Sequence, residues 1–241
     1  PPQSKYKDVI KNYYKFLDEK IGEILEVIPE DAYIFVVSDH GAKRMEGCIA
    51  INEWFIKEGL LVLKKYPDKP TKLQDVEIDW TKTKAWGLGG YYARVFINLK
   101  GREPMGIVNP GKEYEGLLDR IKYGIENMKD EKGLPMYNKV YRPGELYAQV
   151  NGNPPDLLVF FGNLYWRSIS SIGYNSIYTT ENDTGPDDAM HAQHGIFILT
   201  GPQIHHKKLE EVNILDVTPT ILEIFQIEYN NFQGKSVLSK I

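Results

Sequence analysis

Cysteine is nearly absent from the sequence, and long hydrophobic runs are missing from it. One residue of 241, Cys48, is a cysteine, which excludes a framework of intrachain disulfides and is typical of a reducing compartment. We therefore expect a cytoplasmic protein. No apolar stretch approaches the roughly 20 residues that a membrane-spanning helix needs, so we expect no membrane span.

The chain also has no large excess of charge of either sign. It contains 29 Lys and Arg residues and 33 Asp and Glu residues, and its formal net charge is -4. This balance gives no electrostatic reason to expect a nucleic-acid partner. An initiator methionine is missing as well, since the chain begins Pro1-Pro2. We expect a sequence that is incomplete at its N-terminus.

One apolar run ends in two side chains that can bind a metal. Residues 32–37 are Ala-Tyr-Ile-Phe-Val-Val, and Asp39, His40 and Gly41 follow shortly after. The run predicts a buried parallel strand, and ligands of open α/β sheets bind beyond the carboxyl ends of such strands. Asp and His side chains suit zinc, manganese or iron. Both can bind one metal only if the chain turns here, and Gly41 allows such a turn with little backbone strain. The alternative is an Asp that caps a loop beside a hydrogen-bonded His.

Periodicity predicts the elements around this run. Apolar residues recur at three- and four-residue steps over residues 6–28 and 113–128, which predicts two amphipathic helices. Apolar runs at residues 157–161 and 196–200 predict further buried strands. Residues 162–194 show neither helical nor strand periodicity, which predicts a long loop.

These elements predict an α/β fold. We expect a three-layer α/β/α sandwich around a mostly parallel sheet. We expect residues 63–150 to be an insertion or a peripheral lobe of this fold.

Two histidines end the predicted loop. His191 and His194 stand just before Gly195, which opens the strand at 196–200. Either histidine alone is more typical of a loop residue that forms hydrogen bonds than of a metal ligand.

In their order along the chain, these features resemble the alkaline phosphatase superfamily, and within it the type I phosphodiesterase/nucleotide pyrophosphatase branch. The resemblance extends over essentially the whole chain. The segments that carry it are Ser38-Asp39-His40-Gly41, Asn52-Glu53-Trp54, residues 100–104, Pro155-Asp156-Leu157, residues 182–185, His191 with the strand after it, and residues 216–222.

The resemblance implies a two-metal site for phosphoryl transfer. Asp39 and His40 match the ligands of one metal, and His191 matches the late ligand of the other, with His194 as the second choice. The two divalent ions would be zinc, or else manganese or iron, and would assist in-line displacement at phosphorus by a Ser or Thr nucleophile. The implied substrate is a small-molecule phosphate ester such as a nucleotide.

Five residues are weaker candidates near this site. Lys43 and Arg44 follow the metal pair, where they either reach a phosphate oxygen or are ordinary surface charges. Three loop residues either orient His191 or order the loop through Asx turns; they are Asn182, Asp183 and Asp188.

The chain departs from the family pattern before the first helix. No nucleophile motif, no early Asp and no Asp-x-x-x-His pair occur there. We therefore expect residues 1–241 to be the C-terminal part of one alkaline phosphatase-like catalytic domain. Alone it would be inactive, and it would need its N-terminal half or self-associate. The alternatives are a phosphomutase or sulfatase of the same superfamily, or a metal-free binding or regulatory domain that keeps the fold.

Overall fold

A computed structural model describes residues 4–181 and 188–240, and the chain forms two compact units. Unit 1 comprises Pro1–Asp39 and Gly195–Ile241, and unit 2 comprises His40–His194. No helix among the described residues is long and apolar enough to cross a membrane.

Helices and strands both contribute to the described part, so the predicted α/β class is confirmed. The helices are α1 (Val9–Leu25), α2 (Ile51–Lys57), α3 (Lys112–Glu126), α4 (Pro143–Leu146) and α5 (Val217–Ile224). The strands are β1 (Ile34–Val37), β2 (Gly41–Arg44), β3 (Gly47–Ala50), β4 (Ala85–Leu88), β5 (Ala93–Ile97), β6 (Lys139–Tyr141), β7 (Leu157–Phe160), β8 (Trp166–Ile169), β9 (Tyr178–Thr179), β10 (Ala189–Ala192) and β11 (Phe197–Thr200).

In unit 1, helix α1 has the predicted periodicity and an exposed apolar face. It ends at Leu25, shortly before Pro29, because a proline disfavours helical geometry at the residue before it. None of its residues is buried; Ile10, for example, is 73% exposed. The pattern therefore predicted the helix correctly, and the expected self-association or covering by further chain stays a prediction.

The strands of unit 1 correct the expected sheet. Strand β1 pairs with β11 in antiparallel orientation, with Ile34 opposite Thr200. Its residues are only partly buried, and Val36 is 41% exposed. An apolar run indicates a strand but carries no information about the direction of its partner. Of the seven strand pairs in the described residues, only β3–β8 is parallel. The prediction of a mostly parallel sheet is wrong, and the three-layer sandwich stays a prediction.

Unit 2 contains a four-stranded antiparallel sheet in the order β4-β5-β7-β6. Helices α2 and α3 contribute to its core through Phe55 of α2 and through Ile121 and Ile125 of α3, all fully buried. The two helices pack closely, because a Cβ at Gly124 would lie 2.8 Å from the ring of Trp54. Strands from residues 63–150 share this sheet and core with β7, and the status of that segment as an insertion or peripheral lobe stays a prediction.

Residues 162–194 are not a structureless loop. Their described part contains β8 and β9, which flank β3 in a three-stranded sheet, and β10, which pairs with β2. These strands have two to four residues, too few to show a clear alternation in the sequence. Pairing with distant strands, rather than local pattern, defines them.

The buried carboxylate of Asp156 ties several elements of unit 2 together. It accepts two hydrogen bonds of 2.7 Å from the Arg102 guanidinium, one of 2.6 Å from the Tyr114 hydroxyl and one of 2.6 Å from the Ile97 backbone N–H. Burial, together with the hydrogen bond to Asp156, raises the pKa of Tyr114 above its ordinary value. The hydrogen bonds to the same carboxylate raise the pKa of Arg102 above its ordinary value.

Gly41, the first residue of β2, is required by close packing. A Cβ at this position would overlap the backbone carbonyl oxygen of His194 and would lie 3.3 Å from the Cβ of Ala192. The backbone of Gly41 does not have a positive φ. The glycine is therefore needed for the approach of β10 to β2, and its predicted role in a turn stays a prediction.

We predict that Asp156→Ala destabilises the protein strongly. The change leaves the Tyr114 hydroxyl and the Arg102 guanidinium, whose side chain is 34% exposed, without their shared acceptor. Donors left without a partner in this way cost about 1–3 kcal/mol. Urea unfolding monitored by circular dichroism measures the loss. The control is Asp119→Ala, because the Asp119 side chain is 74% exposed in its ion pair and such pairs contribute about 0–1 kcal/mol. Equal losses in both variants would contradict the prediction.

We also predict that Gly41→Ala lowers the free energy of unfolding by about 1–3 kcal/mol, because the added methyl group forces β10 away from β2. The matched control is Gly116→Ala, at a helical position of α3 where an added Cβ meets nothing within 4 Å. That variant should gain about 0.5–1 kcal/mol, since alanine is the better helix former. A Gly41→Ala protein as stable as the wild type would show that the close contact is absent.

Candidate functional site

The pairing of β2 with β10 brings two predicted metal ligands together. His40 directly precedes β2, and His191 lies within β10 opposite Ala42. The imidazole rings of His40 and His191 stack with their centroids 3.5 Å apart and their planes at 15°. Two residues separated by 150 positions in the sequence thus meet inside unit 2.

A backbone carbonyl determines which nitrogen of His40 carries the proton. The Nδ1 atom lies 2.9 Å from the carbonyl oxygen of Gly41. Because a carbonyl oxygen only accepts, Nδ1 must donate, and in the neutral ring Nε2 then carries the lone pair. This arrangement is common among histidines that bind metals through the opposite nitrogen.

The two late histidines differ in their exposure and in their contacts. His191 is partly buried and stacks on His40. His194 is exposed, and its backbone carbonyl packs against Gly41. This geometry favours His191 over His194 as a partner of His40.

Two residues that sequence reasoning missed extend the stack. The ring of Tyr91 lies 3.4 Å from the ring of His191, measured between centroids, with the planes at 21°. The guanidinium carbon of Arg167 lies 4.7 Å from the centroid of Tyr91, within the range of a cation–π contact. We call His40, His191, Tyr91 and Arg167 the site row.

A pair of glycines positions Tyr91 in the site row. The backbone N–H of Gly90 donates to the Ser168 carbonyl at 2.7 Å, and Ser168 donates back at 2.9 Å. A Cβ at Gly89 would lie 2.5 Å from the same carbonyl oxygen, and Gly90 has a φ of +144°. Residues 89 and 90 can therefore lie directly against β8, which carries Arg167. This Gly-Gly pair before an aromatic residue is the sequence signal that could have indicated the contact.

The two basic candidates, Lys43 and Arg44, contact groups outside the site row. The Lys43 amine donates to the Asn163 carbonyl at 2.7 Å and lies 4.0 Å above the Tyr165 ring. Arg44 pairs with Glu46 at 2.7 Å, and its side chain is 78% exposed. Their role as phosphate contacts stays a prediction.

The roles of the remaining candidates stay predictions. Asp188 is exposed, and its backbone carbonyl accepts from the Met45 N–H at 2.8 Å. Asn182 and Asp183 lie outside the described residues. Asp39 is the last residue of unit 1, next to His40 in sequence, and its role as a ligand stays a prediction.

The site row has suitable metal donors but too few of them for a complete site. Imidazole nitrogens suit zinc, manganese and iron, and His40 and His191 supply two side by side. Zinc sites use three or four protein ligands, whereas no group of three or more His, Cys, Asp or Glu side chains able to hold a metal occurs in residues 4–181 and 188–240. A metal at His40 and His191 needs further ligands besides these.

Comparison with known proteins gives one match. The family model of type I phosphodiesterase/nucleotide pyrophosphatase matches residues 3–195, a range that includes Asp39 and the whole site row. Comparisons with curated proteins and with solved structures give no match. The match covers well over half of the chain, and the chain therefore belongs to the type I phosphodiesterase/nucleotide pyrophosphatase family, part of the alkaline phosphatase superfamily.

Proposed function

We propose that this protein is a metal-dependent hydrolase of phosphoric esters that acts on diesters or nucleotide pyrophosphates. Family membership supports a phosphoric ester hydrolase at the family level. The observation that carries the finer proposal is the stacking of His40 on His191, because two matching ligand types from distant segments meet at one place in unit 2.

In this proposal His40 and His191 are ligands in a site for two divalent ions, preferably zinc. The Gly41 carbonyl holds His40 in the tautomer that presents Nε2. Bound at this position, two cations would neutralise the charge that develops on the oxygens of the phosphoryl group. We propose no Ser or Thr of this chain as the nucleophile, since none matches the family motif.

The first test is metal content, measured by elemental analysis of the full-length protein. We predict that the wild type contains stoichiometric transition metal, and that His40→Ala and His191→Ala each lose part or all of it because each removes a ligand. His194→Ala is the matched control and should retain the wild-type content, since its side chain lies outside the site row. A wild type without metal, or equal losses in the control, would contradict the proposal.

The second test compares hydrolysis of aryl phosphate diesters and monoesters by the full-length protein. We predict faster hydrolysis of diesters, abolished by a chelator. The His40→Ala and His191→Ala proteins should lose more than about 100-fold in kcat/KM, because removing the groups that merely orient ligands already costs 10–100-fold. Bound metal with no hydrolysis of either ester would instead favour a phosphomutase, and sulfate ester hydrolysis would favour a sulfatase.

A further inference from the structure

We propose that Arg167 is the anion-binding residue of the site row and that its guanidinium binds a phosphoryl oxygen of the substrate. The proposal rests on the proposed function, since it names a group that recognises the phosphate ester. It concerns a residue that neither the Asp-His motif nor the late histidine indicates.

The first observation is a buried guanidinium with unused donors. Arg167 is 4% exposed, and in the described residues its Nε and Nη1 atoms have no hydrogen-bond partner. A buried positive charge with unpaired N–H groups is costly. Such a group is expected where a ligand supplies the missing acceptor, and the planar fork of donors on arginine suits a phosphate.

The described surroundings of Arg167 explain why its Nε and Nη1 donors have no partner there. Its register partner in the parallel pair β3–β8 is Cys48, so both side chains lie on the same face of the sheet. On that face Cys48, Ala50 and Ile169 form a small apolar cluster. These neighbours exclude water from the guanidinium and offer no carboxylate to neutralise it.

The second observation is the contact that links Arg167 to the proposed metal ligands. The Tyr91 ring contacts the Arg167 guanidinium, with 4.7 Å between centroid and Cζ, and it also stacks on His191 at 3.4 Å. One aromatic ring thus connects the unpaired cation with the pair His40 and His191. The face of that ring stabilises the cation while no anion is bound, so the guanidinium can be held ready for a phosphate ester at the histidines.

The experiment measures binding of inorganic phosphate to the metal-loaded full-length protein by isothermal titration calorimetry. Charge-assisted hydrogen bonds contribute enough that Arg167→Met should weaken phosphate binding by about 10- to 100-fold. Arg167→Lys keeps the charge without the fork and should lose less. The matched control is Arg120→Met, because Arg120 donates to Glu58 at an exposed position; its phosphate affinity should equal that of the wild type, and metal content should be unchanged in all three variants.

Thermal unfolding without phosphate separates ligand binding from a structural role. If Arg167 has no partner in the free protein, Arg167→Met removes an unpaired buried charge and should melt at the same temperature as the wild type or higher. Added phosphate should stabilise the wild type more than this variant. A variant that melts lower or fails to fold would overturn the proposal, because it would show that the charged Arg167 side chain stabilises the free protein.

The inference also fails if the wild type binds no phosphate, or if Arg167→Met binds it within twofold of the wild type. These outcomes are distinct from failure of the proposed function. If the protein binds phosphate through Arg167 but hydrolyses no ester, the proposed hydrolase function is wrong and the proposed anion site is supported. If the protein hydrolyses esters but binds phosphate independently of Arg167, the hydrolase function is supported and the role of Arg167 is wrong.

Discussion

The candidate site depends on the antiparallel pairing of β2 with β10. That pairing needs a position without a side chain, because the His194 carbonyl occupies the space where a Cβ at Gly41 would lie. Once the strands are paired, the residue just before β2 and a residue inside β10 have to meet, and these are His40 and His191. One close backbone contact thereby unites two motifs that lie far apart in the sequence.

A second backbone contact brings a charged side chain to the site row. Gly89 and Gly90 lie against β8 and place Tyr91 between the histidines and Arg167. The resulting row combines two imidazole rings, an aromatic face and a buried guanidinium without paired Nε and Nη1 donors in the described residues. A phosphate ester that is bound through cations needs both metal ligands and donors for its oxygens. Under the proposed function, the four side chains of the row would supply these two kinds of group within one unit.

The sequence predicted features that a repeated pattern or a motif encodes, and it did not predict features that depend on contacts between distant residues. Helices α1 and α3 were predictable because their period repeats over several turns. The family was predictable because an ordered set of motifs, from Ser38-Asp39-His40-Gly41 to the late histidine and residues 216–222, extends along the chain. The sequence did not predict the antiparallel direction of the β1–β11 pair or the short strands β8 to β10, since non-local contacts determine them. The packing role of Gly41 was not predictable, because backbone packing leaves no trace in local sequence. Arg167 was missed because burial of a charged residue is not visible in a pattern.

We propose that His40 and His191 hold metal in one site. Anomalous diffraction at the zinc absorption edge, from crystals of the zinc-loaded full-length protein, can locate this metal. The proposed site should give anomalous peaks about 2.0–2.1 Å from Nε2 of His40 and from a ring nitrogen of His191, the usual zinc–histidine distance. Strong peaks elsewhere, with neither histidine within coordination distance of one, would contradict it.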